Sequence, residues 1–165
     1  MTTRSSRARL VVAANRLPVR WDPDDRRWVS SPGGLVSALA PILRESEGVW
    51  IGWNGTAGGE AERLEVDGID NLVVPLDEQE IEDHYDGFCN GTIWPLYHDA
   101  IRPPEFHRHW WRSHVAVNQR FADSVAEVAS EKDIVWIHDY QLQLVPAMVR
   151  EHLPRARIGF FLHIP

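Results

Sequence analysis

A chain of 165 residues is long enough for one domain with a sizeable core, and 44% hydrophobic with 25% charged residues is ordinary globular usage. The formal net charge of −7 excludes a general nucleic-acid or anionic-membrane binder, since both partners need a clustered basic surface. Any anion bound here must be held by a local set of donors.

Cys89 is the single cysteine, so no intramolecular disulfide can form and a reducing compartment is the simplest expectation. No apolar run approaches the ~20 residues of a membrane helix. Residues 1–9 are polar and basic with no apolar stretch behind them. The sequence therefore reads as soluble and cytoplasmic, with a disordered tail at 1–8 and one domain over 9–165.

The run LVVAA at 10–14 predicts a buried first strand that ends on Asn15 and Arg16. A hairpin follows over 18–29, turning at 22–26. After SSPGG at 30–34, residues 35–44 read as a helix. Leu35, Leu39 and Leu43 recur at i, i+4, i+8, with Ala38 and Ile42 beside them. VWIGW at 49–53 is the second core strand, and 54–60 is a Gly-rich loop. Weaker strands at 64–66 and 71–75 flank a turn at Asp67 and Gly68.

Residues 77–85 are acidic and helical, and 87–97 read as irregular or as a short helix. A long helix is expected over about 105–129, with Phe106, Trp110, Val117, Phe121, Val125 and Val128 in one stripe. Then come a strand at 133–137, a helix at 142–153 closed by Pro154, and a last strand at 157–163. Strands alternating with helices imply a Rossmann-like α/β fold, its mostly parallel sheet covered by helices on both faces. Ligands of such folds collect beyond the carboxyl ends of the strands, where Arg16, Asp139 and His163 fall.

Each candidate has a functional and a plainer reading. Gly33 and Gly34 before the first helix could turn backbone N–H groups toward an anion, or could simply make a turn. Arg16 could grip a phosphate with its fork of donors, or sit in a surface ion pair. Asp139 could accept hydrogen bonds from hydroxyls or cap the next helix, and the two are compatible because one oxygen suffices for a cap. His163 could serve a hydroxyl or a leaving oxygen, or be a core histidine. Tyr85 and Trp94 are potential donors or packing residues, and His138 reads as structural. His107, His109 and His114 lack a close i, i+4 pair, so no metal ligation is expected. Nothing in the sequence gives Cys89 a base. The spacing around Gly33 matches no dinucleotide or Walker loop, which disfavours a dinucleotide-dependent oxidoreductase.

Six motifs now stand in order: ANRLP at 14–18, PGGL at 32–35, WIGW at 50–53, YDGFCN at 85–90 with WP at 94–95, WIHDY at 136–140, and GFFLHIP at 159–165. Together they resemble the opening of the trehalose-6-phosphate synthases over about residues 10–165. The resemblance implies the N-terminal lobe of a GT-B glycosyltransferase, truncated, with the donor-binding C-terminal lobe absent. The complete enzyme would transfer glucose, with retention, from a nucleotide-glucose donor (UDP-glucose, or GDP- or ADP-glucose) to glucose 6-phosphate. The product would be α,α-trehalose 6-phosphate.

Carried over by resemblance, Arg16 and Tyr85 would bind the acceptor phosphate, and Asp139 would read acceptor hydroxyls near the reacting oxygen. Gly33 and Gly34 would offer amides to the donor pyrophosphate. His163 would contact the transferred glucose, with Asp139 and His163 as the catalytic pair. Trp94 and Ile164 would bear on anomer selection. No cofactor, metal, nucleic acid or membrane is implied, and a homo-oligomer remains open for the full-length enzyme. Gln141 stands where many members carry histidine, with little effect expected. The pyrophosphate-binding arginine and lysine of the second lobe have no counterpart here, so the fragment alone is expected to be inactive. The competing reading is a non-catalytic sugar-phosphate-binding module.

Overall fold

The structure is a computed structural model, and it describes residues 8–98 and 101–163. The tail expected at 1–8 falls almost wholly outside these residues, as does Ile164. Strands β1 (Leu10–Arg16), β4 (Val49–Trp53), β6 (Ile69–Val73), β7 (Ile134–His138) and β8 (Arg157–Phe161) run parallel. β5 (Arg63–Val66) pairs antiparallel with β6 through the turn at Asp67 and Gly68. The sheet order is β5-β6-β4-β1-β7-β8. Counting only parallel strands, that is third, second, first, fourth, fifth along the chain. The order therefore reverses between β1 and β7, and this switch point is where doubly wound sheets bind ligands.

Alternation along the strands divides the core. Val11 and Ala13 of β1, Ile51 of β4 and Val135 and Ile137 of β7 face α4 (Arg108–Val128) and α5 (Val145–His152). Val12 and Trp50 face α1 (Gly34–Glu45) and the hairpin of β2 (Val19–Asp22) and β3 (Arg27–Ser30). Both faces are covered as expected, although the second carries one helix and a hairpin. On α1 the inward residues are Leu39, Ala40 and Leu43, whereas Ala38 and Ile42 lie in solvent. The apolar face is therefore rotated toward Val36 and Ala40, the other flank of the leucine row. Phe106 is also displaced from its expected stripe. It precedes the first turn of α4 and is 72% exposed.

The largest departure lies at 78–97. Where a helix and then irregular chain or a short helix were expected, the segment is helical throughout. A turn of α2 (Glu78–Glu80) leads into a π-helix (Ile81–Ile93) and then α3 (Trp94–Tyr97). Asp77 and Glu80 cap its start reciprocally. Arg120 of α4 grips Glu80 through two nitrogens, at 2.8 and 2.6 Å, and donates to Pro75 O. That anchor sets the π-helix against the sheet and brings Tyr85 to the strand ends.

Candidate functional site

β1 carries an irregularity between Ala13 and Arg16: three steps along β1 match two along β4, from Ile51 to Trp53. One extra residue reverses the facing of all that follows. Arg16 therefore lies on the side of Trp53, with its Cζ 4.6 Å from the indole centroid. The bulge is held by Trp50 Nε1 donating to Arg16 O at 3.1 Å and Leu17 N donating to Trp53 O at 2.8 Å. Tyr85 closes the row, edge-on to Trp53 at 5.8 Å. Among the described residues no carboxylate pairs with Arg16, so its fork of donors stays available.

Asp139 follows β7 with φ of 75°, a strained backbone for a residue with a Cβ. Its Oδ1 accepts from Tyr140 N at 2.9 Å and from His163 N at 3.3 Å. The cap and the free oxygen foreseen in the sequence are both present: Oδ2 has no partner among the described residues. His163, beyond β8, stacks on His138, and the pair share a hydrogen bond between His138 Nδ1 and His163 Nε2 at 3.0 Å. Burial, then the neighbouring His163, lowers the His138 pKa to about 4, so that ring is neutral at pH 7.

These elements enclose a cleft of ≈ 670 Å³. Arg16, Tyr85, Asp139 and His163 all line it, four expected residues from four separate segments. Gly33 and Gly34 flank the cleft, whose lining includes their neighbours Pro32 and Leu35. No side chain caps α1, and a Cβ on Gly34 would meet nothing within 4 Å. The first amides of that helix are thus open to an anion. The structure does not bring Trp94 to the lining. Its ring is 42% exposed and stacks on His98 at 4.1 Å, on the short helix beyond the π-segment.

Three buried polar residues of the lining were given no binding role by sequence reasoning: Asn15, His138 and Gln141. Each is buried and holds a polar atom with no partner: Asn15 Oδ1, His138 Nε2 and Gln141 Oε1. These atoms are closed to solvent, so they back the cleft wall rather than present groups to a ligand. Polar residues directly after an apolar strand were the available signal. A pocket with two cations, Arg16 and Arg20, one open carboxylate and several neutral hydrogen-bonding groups suits a sugar phosphate.

The other sequence candidates are dispersed. His107 packs on Trp110, His109 faces Asp83, and only His114 is buried. Burial, with the Asp139 charge second, raises the Cys89 pKa far above the usual thiol range, which leaves it a poor nucleophile. Among the described residues no helix is long and apolar enough to cross a membrane.

Residues 6–165 match the model of glycosyltransferase family 20. The chain is 52% identical to a trehalose-6-phosphate synthase of Mycolicibacterium smegmatis over 166 residues, 99% of this chain and 33% of that protein. It superposes with a TM-score of 0.81 and 32% identity on an E. coli trehalose-6-phosphate structure bound with UDP-2-fluoro glucose, covering 96% of this chain and 33% of that one. An alpha,alpha-trehalose-phosphate synthase (UDP-forming) from Burkholderia xenovorans, in complex with glucose-6-phosphate, gives 0.77 and 29%, with 96% and 34% covered. The chain therefore spans about a third of the length of these relatives.

Proposed function

The chain belongs to glycosyltransferase family 20, and from that premise we propose that its cleft is the acceptor side of a retaining glucosyl transfer. In this reading the whole protein moves glucose from a nucleotide-glucose donor such as UDP-glucose to glucose 6-phosphate, giving α,α-trehalose 6-phosphate in the cytoplasm. The observation that carries it is the convergence of Arg16, Tyr85, Asp139 and His163 on one cleft at the switch point of the sheet.

The roles follow from charge. The acceptor phosphate is an anion, and Arg16 with the Tyr85 hydroxyl supplies its donors. The open oxygen of Asp139 accepts from a sugar hydroxyl close to the attacking oxygen. A carboxylate there also tolerates the positive charge that builds at the donor's anomeric carbon. The leaving pyrophosphate gains negative charge, and the uncapped amides after Gly33 and Gly34 stabilise it as it departs. His163, on the lining of the same cleft, donates to the transferred sugar. Trp94 is not among the residues that line the cleft, and Ile164 lies outside the described residues.

Calorimetric titration with glucose 6-phosphate tests the reading. Binding should exceed that of glucose and of inorganic phosphate, and should collapse in Arg16→Ala. Equal affinity for all three ligands, or an unaffected variant, would refute the acceptor assignment. The same preparation should form no trehalose 6-phosphate from UDP-glucose and glucose 6-phosphate, since the proposed transfer belongs to the whole protein.

A further inference from the structure

The second buried polar cluster lies behind the cleft, between the π-helix and α4. His84 and Cys89 sit five residues apart on the π-helix. On an α-helix, at about 100° per residue, they would point some 140° apart. The i→i+5 turn instead places both toward α4, where His114 meets them. All three side chains are fully buried. The two Nδ1 atoms are 3.0 Å apart, and Cys89 Sγ lies 3.8 Å from His84 Nδ1 and 3.9 Å from His114 Nδ1.

Those spacings are the edges of a coordination polyhedron. A tetrahedral ion with Zn–N near 2.05 Å and Zn–S near 2.3 Å holds its N···N and N···S pairs about 3.3 and 3.6 Å apart. The three atoms therefore need move only a few tenths of an ångström to share one ion. Without an ion the facing Nδ1 atoms share one proton, His114 Nε2 can accept from the Asn118 amide, and His84 Nε2 has no partner among the described residues. An ion takes both Nδ1 lone pairs at once and leaves the protons on Nε2. The convergence of three buried ligand atoms, and not hydrogen-bond satisfaction, is what favours the ion.

We propose that His84, Cys89 and His114 form a buried site for a borderline-soft transition-metal ion, with Zn²⁺ as the type ion, clamping the π-helix to α4. Two imidazoles and a thiolate suit such an ion and disfavour Mg²⁺ and Ca²⁺, which take oxygen ligands. Binding displaces the Cys89 thiol proton to solvent, while both imidazoles enter neutral with their protons on Nε2. The clamp is distinct from the glucosyl-transfer site but adjoins it, because Tyr85 follows His84 directly. Filling the site would fix the helical turn that presents Tyr85. With no exposed ligand, the ion would be captured as the protein folds.

Expression in cobalt-supplemented medium, followed by chelator washing, elemental analysis and absorption spectroscopy, tests this. Cobalt reports a tetrahedral thiolate site through a sulfur-to-metal charge-transfer band and visible d–d bands. Because Cys89 is the single cysteine, that band can arise at one place only. The expected result is about one ion per chain with the thiolate band, and loss of both in Cys89→Ser and in His84→Gln. Protein that folds without cobalt, or with cobalt but no thiolate band, overturns the proposal in favour of a plain His–His hydrogen bond. The wild-type spectrum decides even where a variant fails to fold.

Discussion

Arg16 and Gly55 share one volume: a Cβ built on Gly55 would lie 2.1 Å from Arg16 Nη2 and 2.5 Å from its Cζ. Gly55 also has φ of 91°, which side chains rarely adopt. The Gly-rich loop after β4 thus forms the far wall of a slot whose near wall is the Trp53 ring. The guanidinium lies between them, with no carboxylate among the described residues to hold it.

Gly55→Ala should therefore act on binding as well as on folding. The strained φ costs roughly 1–3 kcal/mol of stability. The methyl group also expels the guanidinium from its slot, so glucose 6-phosphate affinity should fall at least about tenfold. Thermal melts and calorimetry on one preparation separate the two effects. An unchanged affinity would mean that the loop does not position Arg16.

Arg16 itself should be separable from the fold, because its side chain is exposed while its backbone is held by the bulge. Arg16→Ala should leave the melting temperature nearly unchanged and weaken glucose 6-phosphate by ten- to hundredfold, the ~1.5–3 kcal/mol of a charged hydrogen bond. In the whole protein the acceptor should suffer far more than the donor. Arg16→Lys should recover only part of the loss, since an ammonium has neither the fork nor the flat face that stacks on Trp53. Steady-state constants for both substrates check this. Equal losses for donor and acceptor would contradict the assignment.

Much of this was legible in the sequence, and the parts that were not share a cause. Strand ends could be read because each apolar run stops on a polar residue, which gave Arg16, Asp139 and His163. The contact of Gly55 with Arg16 could not, because it depends on a one-residue register shift that leaves no mark in composition. Ile42 and Ala40 flank the same helical row, and packing rather than periodicity decides which is buried. The pairing of His84 with Cys89 leaves no mark in the sequence, because a five-residue spacing suits neither an α-helix nor a strand. Only the wide turn of the π-helix makes five residues a neighbouring distance.

Asp139 should show stability and function pulling apart. Asp139→Asn keeps an oxygen for Tyr140 N, so stability should change by less than about 1 kcal/mol. The charge at the free oxygen is lost, and transfer by the whole protein should fall sharply. Asp139→Gly loses the cap, which costs about a few tenths of a kcal/mol, but relieves a backbone strain of about 1–3 kcal/mol. It should melt at or above wild type and still be inactive. Denaturant melts paired with product assays test both variants. An active Asp139→Asn would remove the carboxylate from the mechanism.

His138 should contribute one component of the acid side of the protein's stability, alongside the buried His84 and His114. It is 2% exposed, and its pKa is lowered to about 4, by burial first and by His163 second, with Asp139 opposing them. In the unfolded chain the same ring titrates near 6.5. Between these values the unfolded chain binds a proton that the folded protein refuses. Stability therefore falls as pH drops from about 6.5 toward 4, by at most about 1.4 kcal/mol per pH unit for this one group. Above pH 6.5 the ring is neutral in both states and contributes no slope. Replacing it with glutamine, which keeps a hydrogen-bonding group toward His163 but cannot titrate in this range, should remove that one-proton component. Urea melts of wild type and His138→Gln from pH 4.5 to 7.5 measure the difference directly. Parallel curves, or a ring that titrates near 6.5 by NMR in the folded protein, would show that the His138–His163 pair accepts charge at the floor of the cleft.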